Sequence, residues 1–172
     1  MKVTKFPLNA LVTEVADLHR VQESGVQIDV DLDARIELVE ADRGRVRQIL
    51  NNLIVNGAEA VENMPNGRVV ATTRLETVGS ADYVTITVTD NGPGFSREVL
   101  GHVFDPYVTS KPKGTGLGLA IVKKIVEEHG GRVEADNPPE GGGRVRVSLP
   151  MTDGSRQMVA RERRAEPRKE RA

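Results

Sequence analysis

The stretch Gln48-Ile49-Leu50-Asn51-Asn52-Leu53-Ile54-Val55-Asn56-Gly57-Ala58-Glu59-Ala60-Val61 sets amides inside an otherwise apolar helical run. Asparagine has mediocre helix propensity, and its amide must find partners. At 3.6 residues per turn, Asn52, Asn56 and Glu59 project from one face, stacked a turn apart. Val46, Ile49, Leu50, Leu53 and Val61 form the core-facing stripe. The helix thus offers apolar groups to a core and a line of carboxamides and a carboxylate to something polar. That line suits a hydrated magnesium ion, which takes oxygen ligands. It equally suits a solvated helix face with two incidental amides, and the segment alone fits both readings.

Working outward, Asp42 is placed to cap this helix over about residues 43–63, and Met64-Pro65-Asn66-Gly67 reads as a turn. Upstream, Leu8, Leu11, Val12, Val15, Leu18 and Val21 recur at helical spacing between Pro7 and Gly25. Val26, Ile28, Val30 and Leu32 alternate as a strand, and Ile36, Leu38 and Val39 suggest a second short one. Downstream, strands are predicted at about 68–76 and 83–89, then a long connection over 90–115 rich in Gly, Pro, Lys and Ser. Connections of that length inside a compact domain are usually functional. A helix over about 117–129, stopped by Gly130-Gly131, and strands over about 132–136 and 143–149 complete the pattern. The order predicts an α+β two-layer α/β sandwich. Its sheet is mixed, mostly antiparallel, and covered on one face by about three helices.

Bulk properties narrow the function. The chain has 172 residues, 38% hydrophobic and 28% charged, which is globular composition with room for a core. No apolar run reaches the length of a membrane span, so no membrane contact is expected. Cysteine is absent, which removes disulfides, thiolate metal sites and a cysteine nucleophile. Residues 154–172 hold seven Lys/Arg against three Asp/Glu. This basic tail, 151–172, is expected to be disordered, with the domain over 1–150. With net charge -1 for the whole, the body is acidic, and aromatics are only 3%. Neither feature suits nucleic acid.

Two more segments carry chemistry. Thr89-Asp90-Asn91-Gly92-Pro93-Gly94-Phe95 follows a strand directly. A strand-end carboxylate can accept a hydrogen bond from an exocyclic amine such as that of adenine, while glycines let the chain turn beside it. An ordinary Asp/Gly turn has the same letters. Gly114-Thr115-Gly116-Leu117-Gly118-Leu119 opens a helix. Glycines there let backbone N–H groups approach phosphate oxygens, aided by the helix dipole. The loop is neither a Rossmann fingerprint, since no strand precedes it, nor a Walker A motif. Lys111 and Lys113 lie just upstream, within reach of a terminal phosphate.

In order and spacing, Asn52-x3-Asn56, Asp90-x-Gly92-x-Gly94, Phe104-Asp105-Pro106-Tyr107 and Gly114-x-Gly116-x-Gly118 together resemble the N, G1, F and G2 boxes of the catalytic, ATP-binding domain of sensor histidine kinases. The resemblance covers about residues 6–150, and the run from Phe104 to Gly131 is most similar to nitrogen-regulation, NtrY-like kinases. It implies the Bergerat ATP-binding fold shared with gyrase, MutL and Hsp90, with ATP and Mg²⁺ as cofactors. Asn56 would be the main metal ligand and Asn52 its neighbour near the phosphates. Asp90 would bind the adenine amino group in a pocket shaped by Gly92 and Gly94. Residues of about 95–115 would form a mobile ATP lid, with Tyr107, Thr109, Ser110, Lys111 and Lys113 as contributors and Phe104 as its anchor. Gly114, Thr115, Gly116, Leu117, Gly118 and Leu119 would present the phosphate loop.

One departure is informative. ATPases of the wider superfamily carry a general-base Glu one turn before the magnesium Asn, where this chain has Asn52, which cannot take a proton as a carboxylate does. The resemblance therefore implies phosphoryl transfer to a protein rather than to water. His19, His102 and His129 lack the family's acceptor pattern, and His19 is expected on a helix surface. The implied partners are a dimerisation and histidine-acceptor domain and a response regulator. The implied state is a monomeric, cytoplasmic domain, within a full-length protein that can be anchored in the inner membrane. A catalytically idle nucleotide-sensing module of the same fold is the alternative.

Overall fold

Alternation in three neighbouring strands builds one apolar sheet face. Strands β4 (Arg68–Val78), β5 (Ala81–Asp90) and β7 (Arg144–Pro150) align the rows Ala71–Val88–Val145, Thr73–Ile86–Val147 and Leu75–Val84–Leu149. All nine of these side chains are buried, whereas the alternate positions carry Thr72, Arg74, Thr87, Arg144 and Arg146. β2 (Gln27–Asp31) and β6 (Arg132–Asp136) complete a five-stranded sheet of order β2-β4-β5-β7-β6. β2 runs parallel to β4, and every other pairing is antiparallel. The computed structural model describes residues 1–23, 25–108 and 116–151.

Three helices cover the apolar face: α1 (Leu8–Gln22), α2 (Arg43–Val61) and α4 (Gly118–Glu128), and a short α3 (Arg97–Leu100) lies in the connection after β5. α2 is central and packs on α1, α4, β4 and β5. Its buried stripe is Val46, Ile49, Leu50, Leu53, Ile54, Ala58 and Val61, as the 3.6-residue spacing predicts. Truncating one of these, such as Leu53→Ala, would cost about 2–5 kcal/mol. Asp42 caps the helix, its Oδ1 accepting from Arg45 N at 3.2 Å. Near the other end Gly57 lets α2 approach the sheet closely, since a Cβ there would lie 3.2 Å from both γ-carbons of Val69. The architecture is the expected two-layer sandwich with a mixed, mostly antiparallel sheet.

Several local features differ from the sequence expectation. Val3–Phe6 forms a strand, β1, that pairs antiparallel with β3 (Val39–Asp42) in a separate two-stranded sheet. Only Phe6 of β1 is buried, so the segment carries almost no apolar alternation to read. The second short strand begins at Val39, and Ile36 is buried ahead of it. In α1 the stripe does not continue through Leu18 and Val21, which are 45% and 83% exposed. The core face passes instead through Leu8, Leu11, Val12, Val15, Ala16 and His19. His19, expected on the surface, is buried. Its Nε2 sits 2.9 Å from Asn51 Oδ1, so one of the three asparagines of α2 serves helix packing. The core also reaches one residue past the expected boundary at 150: Met151 is buried and donates its N–H to Asp82 O at 2.9 Å. The rest of the basic tail lies outside the described residues.

Candidate nucleotide site

Asp90 occupies the end of β5 on the apolar side of the sheet, two residues past the core residue Val88 and opposite Val69. Its side chain is buried, with Oδ1 accepting from Gly92 N at 2.9 Å and Gly143 N at 3.2 Å. These two amides, from the turn after β5 and from the β6–β7 turn, fix the carboxylate plane. The backbone repeats the link, Asp90 N donating to Gly143 O at 3.0 Å. Gly142 is required here: its φ is +84° and a Cβ would stand 1.8 Å from Asp90 O. Asn91 fastens the other flank, accepting from Arg68 N at 2.7 Å and donating to Asn66 O at 2.8 Å.

α2 brings the amide line to the same end of the sandwich. Gly57 lies against the Val69 and Val88 side chains, and Gly92 packs under the Ala60 carbonyl, so the C-terminal part of α2 lies against the Asp90 turn. Asn56 and Asn52 are half-buried, whereas Glu59 is exposed. Asn52 Nδ2 donates to Gly118 O at 3.2 Å, which joins the asparagine face to the first residue of α4. Leu117, before α4, and Pro7, before α1, have side chains that cannot cap, whereas Asp42 caps α2 and Ser96 caps α3. Helix starts of this kind, preceded by a Gly-rich sequence as in α4, suit anions. The far ends of α2 and α4 are joined too, because Asp42 N donates to His129 Nε2 at 3.2 Å while His129 Nδ1 donates to Ile125 O at 2.8 Å.

Of the expected lid, Phe95, Val103 and Phe104 are the residues of 95–108 that pack on the core: Val103 is buried, and Phe95 and Phe104 lie half-buried against it. Tyr107 has φ +66° and is 77% exposed, and its N–H donates to Gly116 O at 2.9 Å. Thr109, Ser110, Lys111, Lys113, Gly114 and Thr115 lie outside the described residues. Leu117 and Leu119 are half-buried at the start of α4, Leu119 against the core. The structure therefore gathers Asn52, Asn56, Asp90, Gly92, Gly94, Gly116, Leu117 and Gly118 at one end of the domain. Sequence reasoning missed Asn137, Gly142 and Gly143. The run Gly141-Gly142-Gly143 before a strand signals a close backbone approach, but nothing local names Asp90 as what it approaches.

The carboxylates with clearly depressed pKa values are Glu14, Asp29, Asp33, Asp42 and Asp136, and none of them is among the expected site residues. Arg47, Arg68, Arg35 and Arg144 hydrogen-bond Glu14, Asp29, Asp33 and Asp136, and backbone amides of Lys2 and Arg45 hold Asp42. They are fixtures of the scaffold. Among the described residues no three His, Cys, Asp or Glu side chains group as a metal site. A metal here would draw few ligands from the chain, as suits magnesium among phosphate and water oxygens, and the amide oxygens of Asn52 and Asn56 are donors of the right hardness. Among the described residues no helix is long and apolar enough to cross a membrane.

Residues 41–153 match the family described as histidine kinase-, DNA gyrase B- and HSP90-like ATPase. The chain is 37% identical over 150 residues to the sensory histidine kinase/phosphatase NtrB of Rhizobium leguminosarum bv. phaseoli, covering 78% of this chain and 39% of NtrB. It is 37% identical over 148 residues to the nitrogen regulation protein NtrY of Azorhizobium caulinodans, covering 83% of this chain and 18% of NtrY. The chain thus spans well under half the length of either relative. The solved catalytic domain of histidine kinase ThkA superposes with a TM-score of 0.75 at 34% identity, covering 88% of this chain and 99% of that one. ThkA in complex with the response regulator protein TrrA matches with a TM-score of 0.69 at 30% identity, over 87% of this chain and 42% of that one. The chain belongs to the histidine kinase-, DNA gyrase B- and HSP90-like ATPases, and within them to the catalytic domains of sensor histidine kinases.

Proposed function

We propose that this domain binds ATP with Mg²⁺ and transfers the γ-phosphoryl group to a histidine on a separate dimerisation helix, for onward transfer to a response regulator. ATP is the ligand of the family. The observation that carries the reading is the meeting of Asp90, the Asn52–Asn56 face and the Gly-rich start of α4 at one end of the sandwich. In this reading Asp90 accepts from the adenine amine, and the first amides of α4 with Gly114, Gly116 and Gly118 face the phosphates. Asn56, supported by Asn52, holds the metal, and Lys111 and Lys113 stand near the terminal phosphate. Bound Mg²⁺ would neutralise phosphate charge. The acceptor nitrogen forms a bond to the γ-phosphorus, the bond to the β-bridging oxygen breaks, and ADP leaves. Such transfer needs positioning and charge neutralisation more than side-chain acid–base chemistry, which fits a site with amides on α2 where an ATPase has a base.

Calorimetry with an ATP analogue and Mg²⁺, followed by incubation with a purified acceptor-helix dimer and γ-labelled ATP, tests this. Acid-labile label on the acceptor histidine is the expected result. Binding without transfer would favour a nucleotide-sensing module, and no binding by the folded domain would sink both.

A further inference from the structure

The turn that carries Gly92 and Gly94 is held by one side chain from a distant hairpin. Asn137 follows β6 and reaches across 42 positions of sequence to Phe95. Its Oδ1 accepts from Phe95 N at 2.8 Å and its Nδ2 donates to Phe95 O at 2.8 Å. The side-chain amide thus pairs with both backbone groups of one residue, as a neighbouring strand would. The contact is close on the adjacent residue as well: a Cβ on Gly94, whose φ is +80°, would stand 2.8 Å from both Asn137 Oδ1 and Gly142 O. The Phe95 ring lies over Gly143, the residue whose N–H holds Asp90, with Cε2 3.2 Å from the position of a Cβ there. At the base of the hairpin Asp136 and Arg144 form a two-point ion pair at 2.8 and 2.5 Å, so the platform from which Asn137 reaches is itself braced. Directly beyond Phe95, Ser96 caps α3, its Oγ accepting from Val99 N at 3.3 Å.

We propose that Asn137 is a positioning residue for nucleotide binding: it locks the turn after β5 onto the β6–β7 turn, so that the two backbone donors on the Asp90 carboxylate keep a fixed separation. The inference rests on the nucleotide reading above and deepens it. Gly92 N approaches Asp90 from one turn and Gly143 N from the other. The bond from Asp90 N to Gly143 O ties the strand end to the β6–β7 turn, and Asn137 adds the tie from that hairpin to Phe95; without it the turn after β5 would loosen and the acceptor offered to an adenine amine would lose direction. Asn137 acts on the site through Phe95. The Asn137 side chain is exposed, so its removal leaves the core intact.

The test uses the full chain with Asn137→Ala and Asn137→Asp, read by amide hydrogen exchange and by calorimetry with ADP and Mg²⁺. Asn137→Ala should speed exchange at Phe95 and Val99 while amides in β4 and β5 keep their protection. ADP affinity should fall about tenfold, the scale of losing two good hydrogen bonds that order a loop. Asn137→Asp has the same shape but sets a carboxylate oxygen against the Phe95 carbonyl, so it should lose affinity as Ala does. Wild-type ADP affinity in both variants overturns the proposal, as does loss of protection spread evenly over the whole domain. No ADP binding by the wild-type chain would instead count against the nucleotide reading, and the exchange measurement would still decide whether Asn137 fixes the turn.

Discussion

Asp90 shows how one buried carboxylate is given a direction. Gly92 N and Gly143 N both donate to Oδ1, so the two oxygens of the group are not equivalent. This makes Asp90→Asn an informative change. The amide keeps an acceptor for the two backbone donors and therefore places its carbonyl oxygen where Oδ1 stands. Its NH₂ then takes the other position and meets the exocyclic amine of adenine donor to donor. ATP affinity should fall at least about tenfold, the weight of one hydrogen bond to a charged group turned into a clash, while the fold is retained. Calorimetry on the variant reads the first effect and circular dichroism the second. Equal affinity for ATP in variant and wild type would remove Asp90 from the adenine site. The asparagines of α2 divide in the same way by partner. Asn51 pairs with His19 inside the helix layer, and Asn52 donates to Gly118 at the start of α4. Neighbouring asparagines of one helix therefore take different partners, Asn51 off the expected line and Asn52 on it.

The elements differ in how they could be read in advance. The β6–β7 turn is the strictest of them, because Gly142 combines a φ of +84° with a Cβ position 1.8 Å from Asp90 O. Gly142→Ala must push the hairpin away from β5, and should cost about 2–4 kcal/mol in urea unfolding, at the upper end for point changes. A loss under about 0.5 kcal/mol would show that the turn is not clamped as described. That requirement was legible as a run of three glycines, but its object was not. The same limit recurs across the fold. α2, β4, β5 and β7 were legible because each repeats its period against one continuous core. α1 was legible in place but not in facing, since Leu18 and Val21 keep helical spacing after the core stripe has passed to His19. β1 left little signal, because only Phe6 of its four residues is buried and its partners, Val39 to Asp42, lie remote in sequence. In the candidate site, the expectation for Asn52, Asp90 and Gly118 came from residue types and order. Asn137 was not legible in that way, because its role is to bond a backbone 42 positions away.

At the scale of the whole molecule, the Asp33 ion pair and the candidate nucleotide site occupy different regions, so the stability that pair contributes and nucleotide binding should respond separately to acid. Asp33 is the most embedded fixture, its side chain only 8% exposed. It accepts from Leu75 N at 3.0 Å and pairs two-pronged with Arg35, while its own N–H donates to Thr73 Oγ1, which in turn donates to Asn9 Oδ1. The segment between β2 and β3 is thereby tied to β4 and α1, near the Leu75 end of the strand and away from Asp90, which pairs at Val69. The Arg35 guanidinium, with the Leu75 and Arg35 amides, holds the Asp33 carboxyl well below its ordinary value of 3.8. A folded pKa depressed below the unfolded one contributes stability that is fully present above the unfolded value and is lost as pH falls through the folded one. Wild type should therefore exceed Asp33→Asn by about 2 kcal/mol near neutral pH, the scale of hydrogen bonds to a charged group. The gap should hold down to about pH 5 and shrink steadily below about pH 4. The exposed pairs of Glu14, Asp29 and Asp136 should add little to this, since water screens them. Urea midpoints for the two proteins across that range measure the gap directly. A gap that stays constant into acid would mean that Asp33 is held by shape and neutral hydrogen bonds alone, whereas a gap that closes while Mg²⁺–ADP affinity near neutral pH is equal in the two proteins would show that the scaffold's charges and the nucleotide site are energetically separate.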